Sequence, residues 1–507
     1  MSGEPIHPTR RAFIAHASAI AGATLLLAGC DAWQSTRGRG PGVDSKPPPS
    51  SSGKPAASPA PPPPVLAAAP APPTINLVPP TREPLVRVRL VRKPPGESVE
   101  LSTGAGGGKQ WLRIGRPTAS GADVAPGSPT PSVPVLLVLA SPVRVTADSA
   151  GWVLVDGAGQ RNVVDGREPI EIGAIKGQTQ RIAIDGAIFP GSARLVARPV
   201  DVGDDGVAVV ASAPSSSSAI YGVPFDVVNV CALEQYVPGV LARELYPGWN
   251  QETFHAQAVA ARTYALVEMA RWTQRRHYDV VAGQASQAYV GQTSHAPSVR
   301  AVEQTRGQVL VFNALLVPAY YSSTCGGLSA NASDAISDDP INFVPPVRAR
   351  PPKACCAERA ALAAGPPTSP RARRPGARGV GERRPQLRLA ALGPIAGIEP
   401  IELNQYGRVV RYRVADNKGG VAELSAERLR NAMNYGGGAL ATPKNPLRSG
   451  QFTATIRGGA IQFAGQGYGH GVGMCQYGAE GMARGGATWR TILAEYYPQA
   501  RIVGAYA

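Results

Sequence analysis

From residue 84 to about 222 the apolar positions fall in short runs rather than helical stripes. "LVRVRLV", "SVEL", "QWLRIG", "VPVLLVLASPVRVTA", "GWVLVDG", "RIAIDGAIF", "ARLVARPV" and "GVAVVAS" are rich in Val and Ile and are separated by Gly, Asp and Pro. Such punctuation predicts short strands joined by turns. "FDVVNV" (Phe225 to Val230) reads as one more strand, and then the period changes. "CALEQYV" predicts a short helix broken at Pro238-Gly239, and "VLAREL" a resumed helix that stops at Pro247-Gly248. Asn250 is a fitting N-cap for a long helix with Glu252 in its first turn. Along it Phe254, Ala258, Ala261, Ala265, Met269 and Trp272 recur at spacings of three and four, which makes one apolar stripe. Five alanines between Ala256 and Ala265 let neighbouring backbones come close. Beyond the strand-like "GQVLVFNALLVPAYYSSTCGG", a hairpin is predicted in "IEPIELNQYGRVVRYRVAD", turning near Asn404 to Gly407. A helix capped by Ser425 and a final helix in "ATWRTILAEYY" follow. The pattern predicts an α+β fold, with a β-rich N-terminal region ahead of a mixed domain.

The chain divides by composition. Residues 1–30 read as an export signal. "TRRAFIAHA" pairs Arg10 with Arg11 in the manner of twin-arginine signals, and an apolar run too short to span a membrane follows. The run ends in "LAGC", a lipobox-like sequence in which Cys30 would be lipidated. The expected location is the cell envelope, on the periplasmic side of a membrane, held by acyl chains. Residues 31–83 are Pro, Ala, Ser and Gly, and such a composition makes an extended tether. Residues 84–222 form the β-rich region, and 223–507 the mixed domain, interrupted by an Arg/Pro-rich segment over 347–390. That segment reads either as a basic insertion or as a reading-frame slip in a GC-rich gene.

Charge and cysteines narrow the classes. The net charge is +16, but eleven Lys/Arg against two Glu lie between Arg348 and Arg388. No RNA-stacking motif, finger or basic recognition helix accompanies it, so no nucleic-acid partner is expected. Five cysteines follow Cys30: Cys231, Cys325, Cys355, Cys356 and Cys475. An odd number leaves at least one free, bridged to another chain or bound to metal. Neither CxxC nor HExxH spacing occurs, so a zinc site is weakly supported and no cofactor is required.

Candidate chemistry collects in four stretches. Glu244 stands at a helix end beside Tyr246, Pro247 and Trp249. An aromatic, partly desolvated setting would raise its pKa toward neutrality, as a general acid requires; a solvated helix-end glutamate is the alternative. "GYGHGVGMCQYGA" surrounds His470 with glycines, and its imidazole could donate or accept near neutral pH. In the same stretch Gln476 and Tyr477 offer polar and stacking groups suited to a sugar. "YYSSTCGG" contains Cys325, either a nucleophile with His470 as its base, or a structural thiol, or a disulfide or metal partner of Cys475. "QASQAYVG" sets Gln287 and Tyr289 two apart, on one face if extended. Gln257 and Arg262 would need partners if buried, and Arg262 could pair with a carboxylate to hold the site's shape.

Together these stretches resemble the SpoIID/LytB family, the stage II sporulation protein D or amidase-enhancer domain. "LEQYVPGVLARELYPGW", "ETFHAQAVAARTYAL", "YYSSTCGG" and "GYGHGVGMCQYGAEGMARGG" carry the resemblance, with lesser support from "QAYVG" and "NPLRSGQF". They span about residues 223–345 and 391–507 in the family's order. The resemblance implies action on peptidoglycan glycan strands. Its enzymes are lytic transglycosylases that cut the MurNAc–GlcNAc bond of denuded strands and leave 1,6-anhydro ends. It implies that Glu244 is the catalytic acid and base, and that His470, Gln287, Tyr289, Ser323 and Gln476 line the groove, with Arg262 and Gln257 in support. It also admits a non-catalytic member that binds glycan and enhances a cell-wall amidase. Some relatives bind zinc after the "STCGG" stretch; here the Arg/Pro-rich segment stands there, with only the adjacent Cys355 and Cys356 as possible counterparts.

Overall fold

The computed structural model describes residues 75–104, 110–117, 135–175, 180–198, 201–202, 208–209, 222–283, 285–337, 339–343, 389, 391–435, 446–457 and 460–507. All of them belong to one unit, residues 72–507. Cys30, Cys355, Cys356 and the export signal lie outside the described residues, as does nearly all of the Arg/Pro-rich segment.

The N-terminal region is all strand. In chain order it holds β1 (Leu85–Lys93), β2 (Val99–Ser102), β3 (Trp111–Gly115), β4 (Val135–Ala140), β5 (Val143–Ala147) and β6 (Gly151–Val155). Then come β7 (Arg161–Asp165), β8 (Ile170–Ala174), β9 (Arg181–Ile184), β10 (Ala187–Pro190), β11 (Ser192–Ala197) and a short pair, β12 (Asp201–Val202) with β13 (Ala208–Val209). The next strand, β14 (Phe225–Ala232), and the later β15 (Val280–Val281) join the larger of two sheets, whose order is β15-β1-β14-β11-β8-β3-β4. The smaller sheet runs β10-β9-β2-β5-β6-β7. The sheets share a core in which Trp152 meets Phe225 edge-on at 5.6 Å. β14 sits between β1 and β11 and is buried along nearly its whole length; its two polar residues, Asp226 and Asn229, are buried with hydrogen-bond partners. The sheet therefore runs across residue 222, where the composition alone suggested a boundary.

The other face of this sheet, through Val86, Val88 and Cys231, packs on two helices. These are α1 (Leu233–Glu244) and α2 (Gln251–Trp272). α1 is continuous, not broken: Pro238 lies inside it. Gly239 beside it is required by contact, because a Cβ there would lie 2.2 Å from the Gly291 carbonyl oxygen. α2 is capped as expected, with the Asn250 side chain accepting from the Glu252 amide. The expectation of one apolar stripe is too narrow, however. Every residue from Thr253 to Thr263 is buried. Phe254, Ala258, Ala261 and Ala265 face the first core, while Ala256, Val259 and Ala260 face a second. Small alanine side chains allow both approaches, so the helix becomes a central strut.

The chain that follows builds the second core and, with residues 389–463, a further one around Tyr412 and Phe452. α3 (Ala296–Gln304) leads to β16 (Gln308–Phe312), β17 (Leu315–Leu316) and β18 (Tyr321–Ser322), then α4 (Ala332–Ala335). After residue 391 come β19 (Ile395–Leu403), β20 (Val409–Asp416), β21 (Val421–Ser425), α5 (Ala426–Tyr435), β22 (Phe452–Arg457) and β23 (Ala460–Gly465). The chain closes with β24 (Met474–Cys475), α6 (Gln476–Arg484), α7 (Trp489–Tyr496) and β25 (Arg501–Gly504), the last pairing with β16. The β19–β20 hairpin turns as predicted: Asn404 Oδ1 accepts from the amides of Tyr406 and Arg408. Ser425 Oγ accepts from Arg428 at the start of α5.

Candidate active site

Glu244 is the last residue of α1, and its carboxylate is only partly accessible. Oε1 accepts the Ala288 amide at 2.9 Å, and Oε2 accepts the Gln476 side-chain amide at 3.2 Å. Burial pushes the carboxyl above its ordinary range; those two hydrogen bonds and the Arg243 charge oppose the shift but do not cancel it. Gln476 is the first residue of α6, whose N-terminus is capped by Cys475 Sγ accepting from the Gly478 amide. Gln476 also donates to Gln257 Oε1 at 3.5 Å, and Gln257, on α2, is wholly buried. The three elements that meet at Glu244 are therefore α1, the 285–291 segment and the start of α6, braced from below by α2.

Gln287 and Tyr289, expected on the groove wall, lie beneath it. Gln287 is wholly buried. It accepts from Tyr236 Oη at 3.1 Å and donates to the Ala261 carbonyl and to Tyr321 Oη. Tyr289 donates to Asn229 Oδ1 at 3.0 Å and its ring packs on Tyr236. Side chains in an extended segment alternate, so these two inward anchors leave the Ala288 amide between them free to face the carboxylate. Their place makes them supports for a backbone donor.

Arg262 is also wholly buried and makes a two-pronged pair with Glu234, both contacts at 2.7 Å. Tyr506 Oη donates to the same carboxylate at 2.8 Å, as does the Gly307 amide at 3.3 Å. These partners hold Glu234 below the usual carboxylate range against a larger opposing burial effect. The pair locks α1 to α2 without reaching the groove.

Two loops close the other wall. β18 and β24 pair in parallel, Tyr321 with Met474 and Ser322 with Cys475, so "YYSSTCGG" and "GYGHGVGMCQYG" lie side by side. Gly473 has φ +68°, and a Cβ on it would meet the Tyr320 carbonyl oxygen at 1.9 Å. His470 is half-buried, its Nδ1 accepts the Val472 amide at 3.0 Å, and Tyr320 packs against its ring. Desolvation, aided by Arg430 and Arg408, pushes it down to about 3. At neutral pH this imidazole is therefore uncharged, and its Nδ1 holds its own loop. Ser323 is half-buried, and its carbonyl accepts from the Tyr477 amide and the Cys475 thiol. Cys325 is buried against Cys475, Tyr477 and Tyr496, away from the position of an exposed nucleophile. Among the described residues no group of three or more His, Cys, Asp or Glu gathers in a metal-binding arrangement.

Sequence reasoning missed three supports. Arg408, at the end of the β19–β20 turn, donates to the carbonyls of Cys325, Leu328 and His470 and so fastens both loops. Glu480 accepts from the Asn250 amide and Thr253 Oγ1, which ties α6 to the start of α2. Asn229 anchors Tyr289 and, through its own amide, the carbonyls of Pro190 and Ser192. Each contact joins residues far apart in sequence, and no local pattern announces it.

With this geometry in place, the similarities to known proteins fall on the same residues. Residues 221–312, which contain α1, α2 and Ala288, match the SpoIID family, described as Stage II sporulation protein. An uncharacterized protein of Brachyspira hyodysenteriae is 28% identical over 289 residues, 56% of this chain and 70% of that one. Stage II sporulation protein D of Bacillus subtilis is 26% identical over 311 residues, 57% of this chain and 80% of its own length. The amidase enhancer of Bacillus subtilis is 26% identical over 285 residues, but only 39% of its length is covered. Residues 221–312 thus carry the SpoIID family's match, and the likeness to the two named Bacillus subtilis proteins extends over 51% and 57% of this chain.

Proposed function

We propose that this protein remodels bacterial peptidoglycan as a lytic transglycosylase, cutting MurNAc–GlcNAc bonds of denuded glycan strands with Glu244 as acid and then base. The observation that carries the proposal is the setting of Glu244: a carboxyl raised by burial at the edge of an accessible wall, held in place by the Ala288 amide and Gln476. Protonated, it delivers its proton to the leaving glycosidic oxygen as the C1–O bond breaks. As carboxylate, it takes the proton of the sugar's 6-hydroxyl while O6 bonds to C1. The products are a 1,6-anhydro end and a new free hydroxyl, and no water is consumed. A single carboxylate suffices for this route, whereas most hydrolases use a carboxylate pair. No metal or cofactor takes part in these steps. The twin-arginine and lipobox patterns would place the enzyme on the periplasmic side of a membrane, anchored at Cys30.

A second reading draws on the relative named amidase enhancer: the same groove would bind glycan without cutting it and promote a cell-wall amidase. Incubating purified denuded strands with wild type and Glu244→Gln separates the two. The enzyme reading expects cleavage that falls by roughly 10²–10⁴-fold in the variant. Equal absence of cleavage by both folded proteins, with binding intact, would leave the enhancer reading.

A further inference from the structure

Beside Glu244 lies a cluster of three aromatic rings that the hydrogen-bonded site does not use. Tyr246 and Trp249 come from the turn between α1 and α2, and Tyr477 from the first turn of α6. Their centroids are 5.4 Å apart for Tyr246 and Trp249, 5.0 Å for Trp249 and Tyr477, and 6.1 Å for Tyr246 and Tyr477. Such distances are those of rings in mutual contact, so each fixes the others' planes. Yet the cluster is not closed over: Tyr246 is 47% exposed, and Trp249 and Tyr477 are only partly covered. The rings stand at 46°, 78° and 69° to one another and share no plane, so the platform is the open ring of Tyr246, braced by the other two.

Its position is fixed relative to the carboxylate from both ends. Tyr246 follows Glu244 by two residues. Tyr477 follows Gln476, the side chain that donates to Glu244 Oε2. A ligand resting on the rings would therefore lie beside the end of α1 that carries Glu244.

We propose that Tyr246, Trp249 and Tyr477 form a stacking subsite for a β-1,4-linked N-acetylhexosamine ring, and that this subsite sets the register of the glycan at Glu244. The inference rests on the glycan reading of the groove. The chemistry favours this linkage. In a β-1,4-linked hexosamine every large substituent is equatorial, so the ring faces present only C–H bonds and lie flat on an aromatic surface. An α-1,4-linked glucan has an axial C1–O bond that curves its chain, so it cannot follow the extended path that a β-1,4-linked strand takes past the rings. The O3 and N2 substituents of a muramyl unit are equatorial as well and leave the stacking face clear.

The test uses the full chain with Glu244→Gln, so that binding is read without turnover, and tetra-N-acetylchitotetraose as the probe in calorimetric titrations. Adding Tyr246→Ala is expected to weaken binding about tenfold, the scale of one lost ring contact. Tyr246→Phe keeps the ring and is expected to keep the affinity. Maltotetraose is expected not to bind. Tyr246 is the exposed member, so its removal leaves the buried core untouched; equal melting temperatures check this, and the Phe variant keeps the comparison sound if they differ. Unchanged affinity in Tyr246→Ala, equal weakening in Ala and Phe, equal binding of maltotetraose, or no binding of chitotetraose would each overturn the subsite. Failure of the catalytic reading looks different: wild type would bind chitotetraose through Tyr246 but cleave no strand.

Discussion

Replacing Glu244 with Gln removes a charge from a position that disfavours it, so the variant should be more stable than wild type, and only above a certain pH. The sign follows from the direction of the shift. Burial holds the folded-state pKa above the ordinary glutamate value of 4.5. The carboxyl's favourable contribution is then complete below the unfolded-state pKa and is lost as pH rises through the folded-state value. Each tenfold displacement of the ionisation equilibrium corresponds to about 1.4 kcal/mol. Wild type is therefore expected to be the less stable protein at pH 8, by that amount for each tenfold displacement, and the equal of the variant at pH 4, where it is itself protonated. The hydrogen bonds survive the exchange. The new amide oxygen can accept from Ala288, and its NH₂ can donate to Gln476 once that amide rotates. Gln257 Nε2, buried without a partner, can then donate to the same oxygen after a matching rotation. The assay is thermal unfolding of both proteins at pH 4 and pH 8, with an upward shift expected at pH 8 alone. A shift of equal size at both pH values, or a loss of stability at pH 8, would refute the reasoning.

Other consequences are as specific. Arg262→Met should cost about 3–5 kcal/mol in denaturant unfolding, because Glu234 would be left buried without its partner, and Arg262→Lys should not restore the two-pronged pair. Gly473→Ala should destabilise by about 2–3 kcal/mol or more, since its backbone is left-handed and a Cβ would strike the Tyr320 carbonyl; a melting temperature equal to wild type would contradict the loop geometry. Arg408→Ala should speed amide hydrogen exchange across residues 468–476 before other regions, as it strips donors from the Cys325, Leu328 and His470 carbonyls. The pH–rate profile should fall as pH rises through the raised Glu244 pKa, with no further inflection from His470, which is pushed down to about 3; His470→Asn should keep the shape of that profile.

The parts legible in the sequence are those set by neighbours along the chain. The Asn250 cap and the Asn404 turn each rest on contacts within a few residues. The end of α1 at Glu244 was legible for the same reason, since Pro247-Gly248 halts it. What was not legible depends on distance. One face of α2 is a periodicity; two buried faces follow only when a second core, around Val317 and Met474, arrives from far along the chain. The Ala288 amide that holds Glu244 is backbone, and a backbone donor has no side-chain signature. Gln287 and Tyr289 drew notice as polar groups near a groove, yet their role is to aim that amide. Arg408 lies 83 residues from the Cys325 carbonyl that it fastens, across the Arg/Pro-rich segment. Pro238 misled because a proline rule about helix breaking is local, whereas α1 is held by the packing of Gly239 on the 289–291 segment.

The central claim is that Glu244 moves a proton while the sugar's own 6-hydroxyl closes the ring. The most direct measurement is mass spectrometry of denuded glycan strands digested in water enriched with oxygen-18, wild type beside Glu244→Gln. The account predicts new 1,6-anhydro-MurNAc ends with no heavy oxygen from wild type, and no new ends from the variant. Heavy oxygen in the new reducing ends, or equal cleavage by Glu244→Gln, would contradict it.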